Sequence, residues 1–156
     1  MKKQQWVTFI LRLIVGGVVL VAGLLKANNP SKSAMAVRAY EILPVNVANI
    51  WGYILPWLEI GSGLLILLGI AIRANAIFTA LLFTLFILAV SSAWARGLNI
   101  DCGCFGGGGE VAPGKSKYLQ EILRDLGLFL GSLFLYKYPY GKFSIDKNSV
   151  PQEEPI

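Results

Sequence analysis

Cys102 and Cys104 are the only cysteines in the 156-residue chain, and they stand one residue apart in Asp101-Cys102-Gly103-Cys104-Phe105-Gly106. Two thiols at this spacing close a small disulfide ring when the residue between them is permissive, and glycine is the most permissive. A ring so small is strained, and strained disulfides are the more oxidising ones. It also encloses almost no chain, so its worth as a stability crosslink is small. The chemistry this points to is thiol–disulfide exchange at a solvent-facing pair; an incidental structural pair is the competing reading. Gly106 to Gly109 and Gly114 would keep the loop open to a partner's thiol. Lys26 and Arg96, at helix ends on the same side, are expected to favour the thiolate, and Asp101 to oppose it.

Other chemistries are short of residues. The chain has no histidine, which removes the commonest general base and the commonest metal ligand. A structural zinc site wants four ligands, and only Asp101 or Glu110 stands near the two cysteines. No metal site is therefore expected within one chain, and a site shared between two copies is the alternative. Gly109 to Ser116 matches the phosphate-loop pattern G-x-x-x-x-G-K-[ST] letter for letter. That loop works only between a buried strand and a helix, so no nucleotide is expected. The net charge of +5 is scattered singly at the ends of apolar blocks, which suits lipid headgroups and forms no nucleic-acid patch.

Within the apolar blocks Arg12 and Glu59 stand out, because charges there are costly and face partners or a cavity. The rise of a helix places them at heights a long arginine could bridge. One reading is a structural ion pair. The other makes Glu59, with Arg12, a polar contact to a bound quinone or a proton acceptor beside it. Pro56 would free a backbone carbonyl nearby. Trp51, Trp57 and Trp94 suit interface anchors.

The elements that must position these groups are read from blocks of apolar residues. The chain is 55% hydrophobic and 15% charged, against roughly 25% charged in a soluble domain. The blocks approach the ~20 residues a helix needs to cross a bilayer. Spans are predicted at about 7–25, 47–70, 74–95 and 118–136, in one domain covering 1–140, with a polar tail over 141–156. The first block is read as an uncleaved helix, being longer than the apolar core of a signal peptide. Asn28 to Ser31 signals a helix start, and a short interfacial helix is predicted over Ser33 to Leu43, stopping before Pro44. Glycines within the spans, among them Gly16, Gly23 and Gly63, would let helices approach closely. The fold class is thus all-α and integral to the membrane: a four-transmembrane-helix bundle with a short interfacial helix and a Gly-rich cysteine loop.

Sidedness is not given by charge. With cytoplasmic termini, Lys2, Lys3, Arg73, Lys137, Lys142 and Lys147 lie inside, and Lys26, Lys32, Arg38, Arg96, Lys115 and Lys117 outside. The two sets are equal, so the positive-inside rule is silent. The basic start before the first helix and Arg73 in a tight turn favour cytoplasmic termini, with the cysteine loop in the oxidising compartment.

Four runs then carry a resemblance: Ala22 to Lys26, Tyr40 to Pro44, Leu55 to Glu59, and Asp101 to Gly106. In this order, over about residues 7–137, the chain resembles the methylamine utilisation MauE family, within the DoxX-like group of small four-helix membrane proteins. The resemblance implies a bacterial inner (cytoplasmic) membrane location and extracytoplasmic disulfide handling beside a thioredoxin-like partner. In other DoxX-like members it implies a link to quinone-coupled oxidation. Cys102 and Cys104 would exchange electrons between that partner and a membrane acceptor such as quinone, in either direction. Four-helix quinone-linked thiol oxidases generally relay through two cysteine pairs, and this chain has one. A non-catalytic membrane subunit or scaffold of a larger complex is the alternative function.

Overall fold

The computed structural model describes residues 2–139, 141 and 143–145. The expected tail over 141–156 lies largely outside the described residues, as do Lys142 and Lys147. Five helices follow in order: α1 (Lys2–Asn28), α2 (Pro30–Ala39), α3 (Val45–Leu68), α4 (Ile72–Ala95) and α5 (Tyr118–Lys137). Between α4 and α5 lie β1 (Ile100–Asp101) and β2 (Gly109–Glu110), paired antiparallel with Ile100 opposite Glu110.

Three helices, α1, α3 and α4, are long and apolar enough to cross a membrane. The 20-residue α5 carries Glu121, Arg124, Asp125 and Lys137 and is less apolar than those three. The helix ends follow local chemistry. Asn29 caps α2 through its side chain, which accepts from the Lys32 amide, and Pro30 fills the first helical position. The helix stops at Ala39, earlier than the Leu43 limit read from sequence, and Pro44 serves instead as the N-cap of α3. Gly69 ends α3 in the left-handed conformation at φ 75°, the usual place for a glycine.

The helices pack as α1 against α3 and α4 against α5, with α2 laid across α3. Small residues set the first contact. A Cβ on Gly23 would stand 2.8 Å from the Pro56 carbonyl oxygen, and one on Gly63 would stand 2.7 Å from the Leu20 nitrogen. Two antiparallel backbones therefore come close where one of the touching residues lacks a side chain. Gly17, Gly61 and Gly127 face open space and do not share that role. On the other pair, Thr79 Oγ1 donates to Ser132 Oγ at 3.2 Å between α4 and α5. The common core is Val15, Val19, Ile66, Ile72, Phe83, Leu128 and Leu135. Outward faces carry exposed Ile10, Trp57, Leu81 and Leu130, apolar surface of the kind a bilayer covers.

Candidate functional site

The segment from Asn99 to Val111 folds back on itself through the β1–β2 ribbon, which the Val111 amide extends by donating to Asn99 O at 2.8 Å. Tyr118 at the start of α5 ties the ribbon down. Its hydroxyl accepts from the Ile100 amide at 3.2 Å and donates to the Leu98 carbonyl. Inside the turn the Asp101 carboxylate accepts from the Gly103 amide at 3.2 Å. Gly103 takes φ +70°, and a Cβ there would stand 2.5 Å from the Ala36 side chain of α2. Glycine between the cysteines is thus required twice, by backbone conformation and by close approach.

Cys102 and Cys104 are joined by a disulfide, with Cα atoms 5.3 Å apart. They do not face solvent as the sequence suggested: Cys102 is 7% exposed and Cys104 6%. The reason is α2. Its Ala34 seats on Gly52 of α3, where Ser33 Oγ donates to the Gly52 carbonyl at 2.7 Å. From that seat Ala36 covers Gly103 and Gly108. Tyr40, just past α2, donates its hydroxyl to the Cys102 carbonyl at 3.0 Å. Burial pushes this phenol above its usual range, with nearby carboxylates adding to the effect, so it stays protonated and remains the donor. Arg96 donates to the Tyr40 carbonyl.

The cation nearest the sulfurs is neither of those expected. Arg124 of α5 places Nη2 3.9 Å from Cys102 Sγ and its guanidinium 4.8 Å from the centre of the Phe105 ring. The same group donates to Asp125 Oδ1 at 2.9 and 3.0 Å. Asp125 is 1% exposed, and one of its carboxylate oxygens and the two sulfurs lie within 4.8 Å of one another. Its Oδ2 has no hydrogen-bond partner. Arg124 and Asp125 stand near the start of α5, within the fourth predicted span. The rule that an ionisable group in an apolar helix has a purpose was the signal that would have drawn them into the site.

Lys26 is at the site in a different capacity. Its ammonium donates to Glu59 Oε1 at 2.6 Å, lies 5.0 Å from the centre of the Phe86 ring, and lines a cavity of about 30 Å³ together with Tyr40 and both cysteines. Glu59, 1% exposed, leaves Oε2 unpartnered. This oxygen's residue and Asp125 line a second cavity of about 20 Å³, beside Cys104. The bridge from Arg12 to Glu59 is not formed. Arg12 lies one helix crossing away, donating to the Ile66 and Leu67 carbonyls at 3.1 and 2.8 Å. The carbonyls of the last turn of α3 hold it there, and Glu59 is paired by Lys26 instead.

Three membrane-length apolar helices, with a disulfide buried beside charged side chains, define a multi-pass membrane protein that carries a disulfide at the end of its bundle. The family model for methylamine utilisation protein MauE matches residues 4–138, and the chain belongs to that family. Among its relatives, the methylamine utilization protein MauE of Methylophilus methylotrophus is 31% identical over 105 residues, 67% of this chain and 55% of that one. The protein of the same name from Methylorubrum extorquens is 30% identical over 103 residues, 65% of this chain and 55% of that one. The chain thus spans about half the length of the curated relatives it matches. No solved structure matches it.

Proposed function

We propose that the protein is a membrane thiol–disulfide redox protein. In this reading Cys102 and Cys104 exchange electrons between an extracytoplasmic thioredoxin-like partner and a membrane acceptor such as quinone, in the service of methylamine utilisation. The observation that carries it is the surrounding of the disulfide. A cation at 3.9 Å from Cys102 Sγ and a buried carboxylate near both sulfurs are groups that exchange chemistry uses and a staple does not need. The fourth span of the single membrane domain is α5. Its outward face is the leucine row Leu119, Leu123, Leu126, Leu130 and Leu133, and Asp125 on the inner side is buried.

In this reading the acceptor binds at the edge of the bundle. Cavities of about 20 and 30 Å³ at Glu59 and Lys26 hold a water, whereas a benzene ring takes roughly 150 Å³. On that reading Glu59 serves as a polar group of the site, while Arg12 caps α3. A recess of about 480 Å³ bounded by Trp94, Tyr118, Leu119 and Leu123 is large enough for a quinone head. Tyr118 shares a packed cluster with both cysteines.

The test is electron transfer from dithiothreitol to a short-chain quinone by the purified protein in lipid nanodiscs. Cysteine-dependent quinone reduction is expected, lost in Cys102→Ser and Cys104→Ser. Transfer that is unchanged in both variants would refute the reading. The burial of both sulfurs favours a second reading, a non-catalytic subunit whose cysteine turn is an interface within a larger complex. Methylamine-dependent growth that survives loss of both cysteines would select it.

A further inference from the structure

We propose that Asp125 is the proton-handling group of the Cys102–Cys104 pair, an inference that rests on the exchange reading above. Reducing a disulfide produces two thiolates that need protons, and oxidising a dithiol releases two. In a site from which water is largely excluded, that traffic needs a carrier. Asp125 has one carboxylate oxygen held by Arg124 and the other, Oδ2, buried without a partner. A carboxylate oxygen and the two sulfurs lie within 4.8 Å of one another, a span that one intervening water closes. The orphaned oxygens of Asp125 and Glu59 belong to residues lining the same cavity of about 20 Å³. That is room for a single water, which would satisfy both and extend the proton route to the Lys26–Glu59 pair.

The step balances as follows. A partner thiolate attacks one sulfur, the Cys102–Cys104 bond breaks, and the leaving thiolate takes the proton from Asp125 Oδ2. The carboxylate then accepts the proton of the partner's second thiol. The new thiolate displaces the remaining cysteine from the mixed disulfide, and Asp125 returns the proton to that cysteine. The proton lost by the partner's first thiol restores Asp125. Two electrons and two protons pass from the partner dithiol to the pair, and oxidation by the acceptor runs the same transfers backward. The groups facing Asp125 are Lys26 from α1, Tyr40 just past α2, Glu121 and Arg124 on its own helix, Glu59 from α3 across the shared cavity, and the two sulfurs of the cysteine turn. Helix α4 presents only Leu82, Phe83 and Phe86 to the shared cavity.

The experiment is reduction of the full chain in lipid nanodiscs by dithiothreitol, followed by maleimide gel shift across pH. It compares wild type, Asp125→Asn, Asp125→Glu and the double serine variant as blank. Asn keeps the oxygen that accepts from Arg124 and loses only the exchangeable proton. Reduction slowed about 10²-fold in Asp125→Asn, with a wild-type-to-variant ratio that changes with pH and recovery in Asp125→Glu, supports the proposal. A wild-type rate in Asp125→Asn overturns it, and so does a slowing whose ratio is constant over pH, which marks a structural effect. A wild type that dithiothreitol cannot reduce overturns the exchange reading itself, so the two failures are separable. Should Asp125→Asn not assemble, the redox-difference infrared spectrum of the wild type decides. A carboxyl C=O band that changes on reduction is expected, and its absence overturns the proposal.

Discussion

At the scale of single residues, the site consists of charges that apolar helices would not carry without reason. Lys26 and Glu59 are buried and meet at 2.6 Å. Taking both out of water is costly, and the pair holds because each neutralises the other. Glu59→Gln or Lys26→Met alone should lower stability by roughly 3–5 kcal/mol, since each strands a buried charge or its partner. The double variant Lys26→Met with Glu59→Met should recover most of the loss. Thermal unfolding in lipid nanodiscs measures both, and additive losses would mean that the two side chains do not act as a pair. The sequence showed that Glu59 needed a partner but not which one. Helical rise pointed to Arg12, but Lys26, farther along the same helix, is the cation level with Glu59, and the carbonyls at the end of α3 hold Arg12.

At the scale of elements, glycines decide which helices touch and where the cysteine turn sits. Gly63→Ala puts a methyl group 2.7 Å from the Leu20 backbone nitrogen and should cost about 1–3 kcal/mol by overpacking. Gly61→Ala, two residues away and facing open space, should be neutral or slightly stabilising. Unfolding midpoints that rank the two the other way would contradict the α1–α3 contact. Gly103→Ala meets Ala36 at 2.5 Å with φ at +70°, so it should displace the cysteine turn from α2. Ala36→Gly should relieve part of that effect, read as recovered resistance of the disulfide to alkylation after mild reduction. The apolar blocks and the Asn29–Pro30 helix start were legible because they depend on local residue type. The burial of the sulfurs was not. It follows from α2 seating on Gly52 of α3, a contact between residues far apart in the chain that no local pattern announces.

At the scale of the whole molecule, the packed helices place the disulfide at one end and leave Arg12 and the end of α3 away from it. The family membership was legible from four short runs taken together. The carboxylate beside the sulfurs was not, because Asp125 joins the cysteine turn only when α5 packs beside it. A disulfide that works in exchange must open and close inside an intact fold. The measurement that tests this most directly is a redox titration of the full chain in lipid nanodiscs against dithiothreitol buffers. Maleimide mass shift would report the cysteine pair, and circular dichroism the helices. The account predicts reversible, two-electron reduction of Cys102–Cys104 with the helical signal unchanged. A pair that stays oxidised until the helices unfold would show a structural disulfide and contradict it.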